Sequence, residues 1–281
     1  MEQVSNNLIF GGEQRRYQHR SSELNCDMHF SIFLPPQASK VKVPQVYWLS
    51  GLTCTDENFV QKAGAQQYAA DHGVAVIAPD TSPRGKGIPD DEDAAWDFGL
   101  GAGFYIDASE NPWSNNYRMY SYITSELPEL INDNFPVLSD RVSIMGHSMG
   151  GHGALTIALK NSGHYQSVSA FAPICAPTQC PWGHKAFGNY IGPDQTQWLN
   201  HDTCELISSN TEKLHLLVDQ GSADNFLAEQ LKPDLLEKAC NDNDHPLTLR
   251  MQEGYDHSYF FIASFMRDHI EWHARHLNSQ K

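Results

Sequence analysis

The pentapeptide Gly146-His147-Ser148-Met149-Gly150 constrains this chain more than any other segment. The apolar stretch Val142 to Met145 runs into it, and Gly151 to Lys160 leaves it with helical spacing. A serine between a buried strand and a helix sits on a sharp, strained turn, and small residues must flank it because no bulky Cβ fits there. Such a turn lifts the Ser148 hydroxyl above the edge of a sheet. It also places the Met149 amide at a helix N-terminus, so a nucleophile and one oxyanion donor come from neighbouring residues. A glycine-rich turn with an incidental serine gives the same pattern, so the motif has to be completed by other residues.

The rest of the chain supplies a suitable frame. Strands are expected at Asp27 to Leu34, Gln45 to Leu49, Val74 to Ala78, Ser167 to Phe171, Lys213 to Asp219 and Leu247 to Met251. Helices are expected at Asn58 to Ala70, Met119 to Asn134, Phe226 to Asn241 and Ser258 to Leu277. Strands alternating with helices imply a mainly parallel α/β sheet, and ligands on such sheets sit beyond the carboxyl ends of the strands, where Ser148 falls. Residues 80–118 read as a long Gly-, Pro- and Asp-rich loop region near the site, carrying Trp96, Phe98, Phe104, Tyr105 and Trp113. With 281 residues, 40% of them hydrophobic, and no linker or internal repeat, residues 1–281 are expected to form a single domain.

A formal charge of −15 disfavours nucleic acid and anionic membrane surfaces as partners. No apolar run has the length of a membrane span and the first 20 residues are polar, so a cytoplasmic location is the default expectation. The six cysteines are scattered without paired C-x-x-C spacing, which points to reduced thiols rather than zinc ligands or disulfides.

A serine hydroxyl needs a base, and position selects among the 14 histidines. His257 follows the last expected strand, on the same sheet edge as Ser148. His269, His273 and His276 ride the terminal helix, His245 precedes its strand, and His147 lies on a turn expected to point neighbours apart. The orienting carboxylate should follow the preceding strand, where Asp219 and Asp224 compete. Asp224 is favoured because it comes after a glycine turn, while Asp219 ends the strand and Asp256 sits too close to His257 in sequence. The order Ser, Asp, His is that of the α/β-hydrolases. A second oxyanion donor is expected from Ser50-Gly51-Leu52-Thr53-Cys54, with the Leu52 amide pairing with that of Met149. Cys54 lies near that donor, either as a reactive thiol or as an inert packing residue.

The segment Leu49-Ser50-Gly51-Leu52-Thr53-Cys54-Thr55-Asp56-Glu57-Asn58-Phe59 closely resembles the oxyanion segment of the S-formylglutathione hydrolases, the esterase D family. The resemblance continues through Gly103 to Ala108, Asn116 to Tyr122, Glu126 to Pro128, Gly146 to Leu155, Asp219 to Gly221, Asp224, Phe226-Leu227 and Tyr255 to Tyr259, and so covers nearly the whole chain. It implies the α/β-hydrolase fold, a mainly parallel eight-stranded sheet with helices on both faces. It also implies a cytoplasmic, cofactor-free and commonly dimeric thioesterase that releases formate and glutathione in formaldehyde detoxification. A formyl group is small, so bulky residues should close the acyl pocket; Trp96, Trp182 and Phe226 are the candidates, each also readable as an ordinary core aromatic. Lys62, Arg84 and Lys86 are candidate local cations for the glutathione carboxylates, with solvated surface as the ordinary alternative. Two other readings are a general short-chain carboxylesterase or acyltransferase and a non-catalytic scaffold. A metal-dependent hydrolase is disfavoured because no His/Asp cluster has ligand spacing.

Overall fold

The computed structural model describes residues 1–209 and 213–279. Nine strands form one sheet: β1 Glu2–Ile9, β2 Gly12–Arg20, β3 Asp27–Leu34, β4 Val43–Leu49, β5 Ala75–Pro79, β6 Val137–His147, β7 Tyr165–Phe171, β8 Leu216–Gly221 and β9 Leu247–Gln252. Their order is β1-β2-β3-β5-β4-β6-β7-β8-β9. The pairs β1/β2, β2/β3 and β3/β5 are antiparallel, and every pair from β5/β4 onward is parallel. The parallel strands read as near-continuous apolar runs because helices cover both faces. Tyr259–Asn278 packs with Ala65–His72 on one face, and Met149–Lys160 with Thr203–Ser209 on the other.

Among the described residues the sheet has nine strands where eight were expected; seven were expected at named residues, and the two that were not are β1 and β2 of the N-terminal hairpin. β1 is exposed along nearly its whole length, and β2 buries little beyond Tyr17 and His19, so neither carries the apolar alternation that marks a half-buried strand. The signal was instead in the turn. Phe10 and Gly11 both adopt positive φ, 49° and 73°, the type I′ geometry that closes a two-residue hairpin.

Two expected helices are divided. The segment read as Asn58 to Ala70 is Asp56–Lys62 followed by Ala65–His72, parted at Gly64, whose φ is 67°. The segment read as Phe226 to Asn241 is a π-turn at Leu227–Leu231 and a helix at Pro233–Asp242, parted at Lys232, whose φ is 50°. Proline at the first position of the second helix cannot donate backward, which favours a fresh start there. Residues 80–118 form a long connection that is nonetheless packed. Phe98, Phe104, Tyr105, Trp113 and Tyr117 are buried, and the Tyr190 hydroxyl both accepts from Gly99 N (3.1 Å) and donates to Ala102 O (2.9 Å). No helix among the described residues is long and apolar enough to cross a membrane.

Candidate active site

Parallel strands deliver their C-terminal loops to one edge. The loop after β4 carries Gly51 to Cys54, the turn after β6 carries Ser148, the loop after β8 carries Asp224 and the loop after β9 carries His257. A cleft of about 320 Å³ opens there, lined by both Ser148 and His257.

Ser148 adopts φ 57°, ψ −119°, the strained geometry expected of the sharp turn. Its N–H donates to Phe171 O (3.0 Å), and its carbonyl accepts from His152 N (2.9 Å), so the strain is held from both sides. A Cβ on Gly150 would lie 2.0 Å from Leu49 O, which is why the turn can press against the end of β4 only with glycine there. Gly51 makes the matching approach: a Cβ there would stand 3.1 Å from both Ser148 Cβ and His147 Nδ1. The Leu52 loop therefore lies directly against the serine. Neither the Leu52 nor the Met149 amide has a hydrogen-bond acceptor among the described residues, so two main-chain donors stand unused beside Ser148.

The position of that loop is set by the long connection. Thr53 adopts φ 66° and donates to Gly101 O (3.0 Å), Tyr105 OH donates to Ser50 O (2.9 Å), and Cys54 O accepts from Thr81 Oγ1 (2.5 Å) and Arg84 Nη2 (3.0 Å). Residues 80–118 thus serve as the buttress of the Leu52 segment.

Asp224 and Asp219 have different surroundings. Asp224 Oδ2 lies 2.5 Å from His257 Nδ1, while its Oδ1 accepts from Phe226 N (2.8 Å). With Nδ1 engaged, the other ring nitrogen, Nε2, has no partner among the described residues. His257 reaches this place because the loop after β9 folds over the end of β8. Ala223 N donates to Tyr255 O (2.9 Å), and a Cβ on Gly221 would come within 2.3 Å of that same carbonyl oxygen. Asp219 is instead fully buried. It accepts from Arg250 Nη2 and Nε (2.5 and 2.6 Å) and Gln252 Nε2 (3.2 Å), and lies 3.1 Å from His269 Nε2. Burial opposes its charge, but His269 and Arg250 outweigh that and hold its pKa below the usual value. Hydrogen bonds continue from His269 through Ser169, His273 and Ser167 to Ser143, which tie the terminal helix to the sheet. Asp256 accepts from Ser258 N and Oγ (3.0 and 2.6 Å), while the Ser258 hydroxyl caps the terminal helix by accepting from Phe260 N (3.2 Å).

His147 was expected to point away from this centre. The structure corrects that: its ring lies 4.4 Å from the His257 ring and lines the cleft. Burial, with His257 as its neighbour, holds the imidazole well below its ordinary pKa, and its Nε2 has no partner among the described residues. Trp96, Trp182 and Phe226 come together as a wall of the cleft. Trp182 and Phe226 are 4.8 Å apart, Trp96 and Trp182 5.6 Å, and Phe226 meets the His257 ring edge-on at 5.0 Å. Cys54 also lines the cleft, and burial raises its pKa, which keeps the thiol protonated. All six cysteines are free. Asn58, Lys62, Ser258 and Tyr259 also line the cleft without having been singled out as site residues, apart from Lys62 as a candidate cation. The Tyr259 hydroxyl is buried near Ser50 and Cys54 but meets neither at hydrogen-bonding geometry. Among the described residues, no group of three or more His, Cys, Asp or Glu side chains is placed to hold a metal ion.

The Esterase family model matches residues 21–272. The S-formylglutathione hydrolase of Rattus norvegicus is 58% identical over 281 residues, covering 99% of each chain, and that of Mus musculus is 57% identical over the same span. The solved S-formylglutathione hydrolase from Agrobacterium tumefaciens superimposes with a TM-score of 0.97 at 48% identity, covering 99% of this chain and 100% of that one. The chain belongs to the S-formylglutathione hydrolase family. It is a hydrolase built on the α/β-hydrolase fold.

Proposed function

We propose that this enzyme hydrolyses S-formylglutathione to formate and glutathione, with Ser148 as nucleophile, His257 as general base and acid, and Asp224 as the group that orients His257. The observation that carries the reading is the 2.5 Å contact between Asp224 Oδ2 and His257 Nδ1 at the rim of the cleft that Ser148 lines. A carboxylate at Nδ1 fixes the tautomer whose Nε2 accepts a proton, and stabilises the imidazolium that results. The relatives' names supply the substrate.

Ser148 Oγ attacks the formyl carbonyl as His257 Nε2 takes its proton. The oxyanion accepts from the Leu52 and Met149 amides, which are preorganised because nothing else occupies them. The C–S bond breaks as glutathione takes the His257 proton and leaves as the thiol, or leaves as thiolate while His257 gives its proton to solvent, and a formyl ester remains on Ser148. Water, deprotonated by His257, then attacks that ester; the second tetrahedral intermediate collapses to formate and free Ser148. A thiolate is a good leaving group, so acid assistance contributes less here than in amide cleavage. Trp96, Trp182 and Phe226 bound the acyl side and restrict it to short groups. The one-domain, cytoplasmic, homodimeric enzyme of formaldehyde detoxification is part of the same proposal and rests on the family likeness.

The test is the kcat/KM of purified protein for S-formylglutathione beside that for nitrophenyl acetate. The proposal expects a clear preference for the thioester. A preference for the simple ester would replace it with a general short-chain carboxylesterase.

A further inference from the structure

We propose that Lys62 and Asn58 form the subsite that recognises a carboxylate on the leaving thiol, and so set the preference for an anionic thioester over a neutral one. The inference deepens the proposed function and rests on it. Both residues line the cleft that holds Ser148 and His257. They stand four apart on the Asp56–Lys62 helix, so their side chains rise from the same face about 5–6 Å apart at Cβ.

The capping box at the start of that helix fixes how Asn58 is turned. Its Oδ1 accepts from Thr55 N (2.9 Å) and from Thr55 Oγ1 (3.3 Å). The carbonyl oxygen is thereby committed to the backbone, and the Nδ2 amide, which has no acceptor among the described residues, is left to face a ligand. Lys62 Nζ sits 5.6 Å from the centroid of the Tyr259 ring, which also lines the cleft, and has no carboxylate within ion-pair distance among the described residues.

The other candidate cations do not serve. Arg84 is engaged by Asp80 (3.0 Å) and Cys54 O, and Lys86 does not line the cleft. The lining contains no Asp or Glu side chain. In a chain of net charge −15, an unpaired ammonium beside an uncommitted amide is a local reversal of sign at the mouth of the reaction centre. Surface charges farther than about 8–10 Å are largely screened at physiological salt, so this local pair decides what a carboxylate meets there.

The experiment uses two thioesters with the same formyl group: S-formylglutathione and the S-formyl derivative of the neutral thiol N-acetylcysteamine. In Lys62→Met the ratio of their kcat/KM values is expected to fall about tenfold at low salt, the range of a charge-assisted hydrogen bond. The fall should appear mainly in KM and fade at high ionic strength. Lys62→Arg should keep the ratio within about twofold of wild type, because charge and donor survive. Asn58→Asp keeps an acceptor for Thr55 N but replaces the free donor with a negative charge, and is expected to lower the ratio as well. An unchanged ratio in Lys62→Met, or a loss in Lys62→Arg as large as in Lys62→Met, overturns the subsite. If wild type cleaves S-formylglutathione and only the ratio ignores Lys62, the subsite alone falls. If wild type cleaves neither thioester, the proposed function falls and takes the subsite with it.

Discussion

Gly51→Ala tests the oxyanion site with one methyl group. The added carbon would stand 3.1 Å from Ser148 Cβ, 3.1 Å from His147 Nδ1 and 3.3 Å from His147 O. Relaxed carbon contacts lie at about 3.5–4.0 Å, so something must yield by about half an ångström. Ser148 is pinned by its bonds to Phe171 O and from His152 N and by its fixed φ of 57°. The Leu52 loop is held on either side, at Ser50, Thr53 and Cys54, but the Leu52 amide between them has no acceptor among the described residues, so that peptide is the part that moves. Complete loss of an oxyanion donor costs about 10²–10³ in kcat, and a half-ångström displacement should forfeit part of that. We expect kcat to fall about 10- to 100-fold, KM to change by less than about threefold, and stability to drop by about 1–3 kcal/mol from overpacking. Steady-state kinetics on S-formylglutathione and nitrophenyl acetate, with thermal unfolding alongside, read all three. Both substrates should lose the same factor, because both develop the same oxyanion. A folded variant with wild-type kcat would show that the Leu52 loop is not where the oxyanion rests.

The two competing carboxylates should separate cleanly: Asp224→Asn is expected to lower kcat by about 10⁴ with the fold intact, since the amide favours the wrong His257 tautomer. Asp219→Asn should instead destabilise by about 1.5–3 kcal/mol through weakened charge-assisted bonds to half-buried Arg250 and buried His269, leaving the folded fraction active; the reverse pattern in denaturant melts and kinetics would exchange their roles. Stability should decline as pH falls from 6.5 toward 4, because burial lowers the His152 pKa from 6.5 to about 4 and the unfolded chain takes up that proton first; such a shift corresponds to about 3 kcal/mol, and a flat urea midpoint over this range contradicts it. Below about pH 4 the depressed Asp219 carboxylate adds a second loss, since its contribution is present above the unfolded pKa and disappears as pH drops through the folded one. With nitrophenyl esters of increasing length, kcat/KM should drop steeply beyond acetate and butyrate if Trp182 and Phe226 close the acyl side; equal rates on acetate and octanoate would remove that role.

The parts of the fold that could be read from sequence are those where one physical cause dominates. β3 was expected at Asp27 to Leu34 and lies there, because its apolar residues alternate against a core. Ser148 was legible because glycine and strand–turn–helix order leave few alternatives. The N-terminal hairpin was not, since β1 is solvated on both faces and β2 buries little beyond Tyr17 and His19, so only the Phe10-Gly11 turn marks them. Gly64 breaks a helix that periodicity alone joins, because its apolar residues continue on both sides. The choice between Asp219 and Asp224 depends on tertiary contacts: Arg250 and His269 approach one carboxylate, and the loop crossing Gly221 brings His257 to the other. His147 was misplaced because the rule that a turn points neighbours apart describes the backbone, while its side chain turns back toward His257.

The central claim is that Ser148 carries the acyl group because His257 and Asp224 activate it. Treating the protein with a fluorophosphonate and locating the adduct by peptide mass spectrometry addresses this directly. We predict a single adduct on the peptide containing Ser148 in the wild-type protein, with the labelling rate cut at least 100-fold in His257→Ala and the adduct absent in Ser148→Ala. Labelling at any other residue, or undiminished labelling after His257 is removed, would contradict the account.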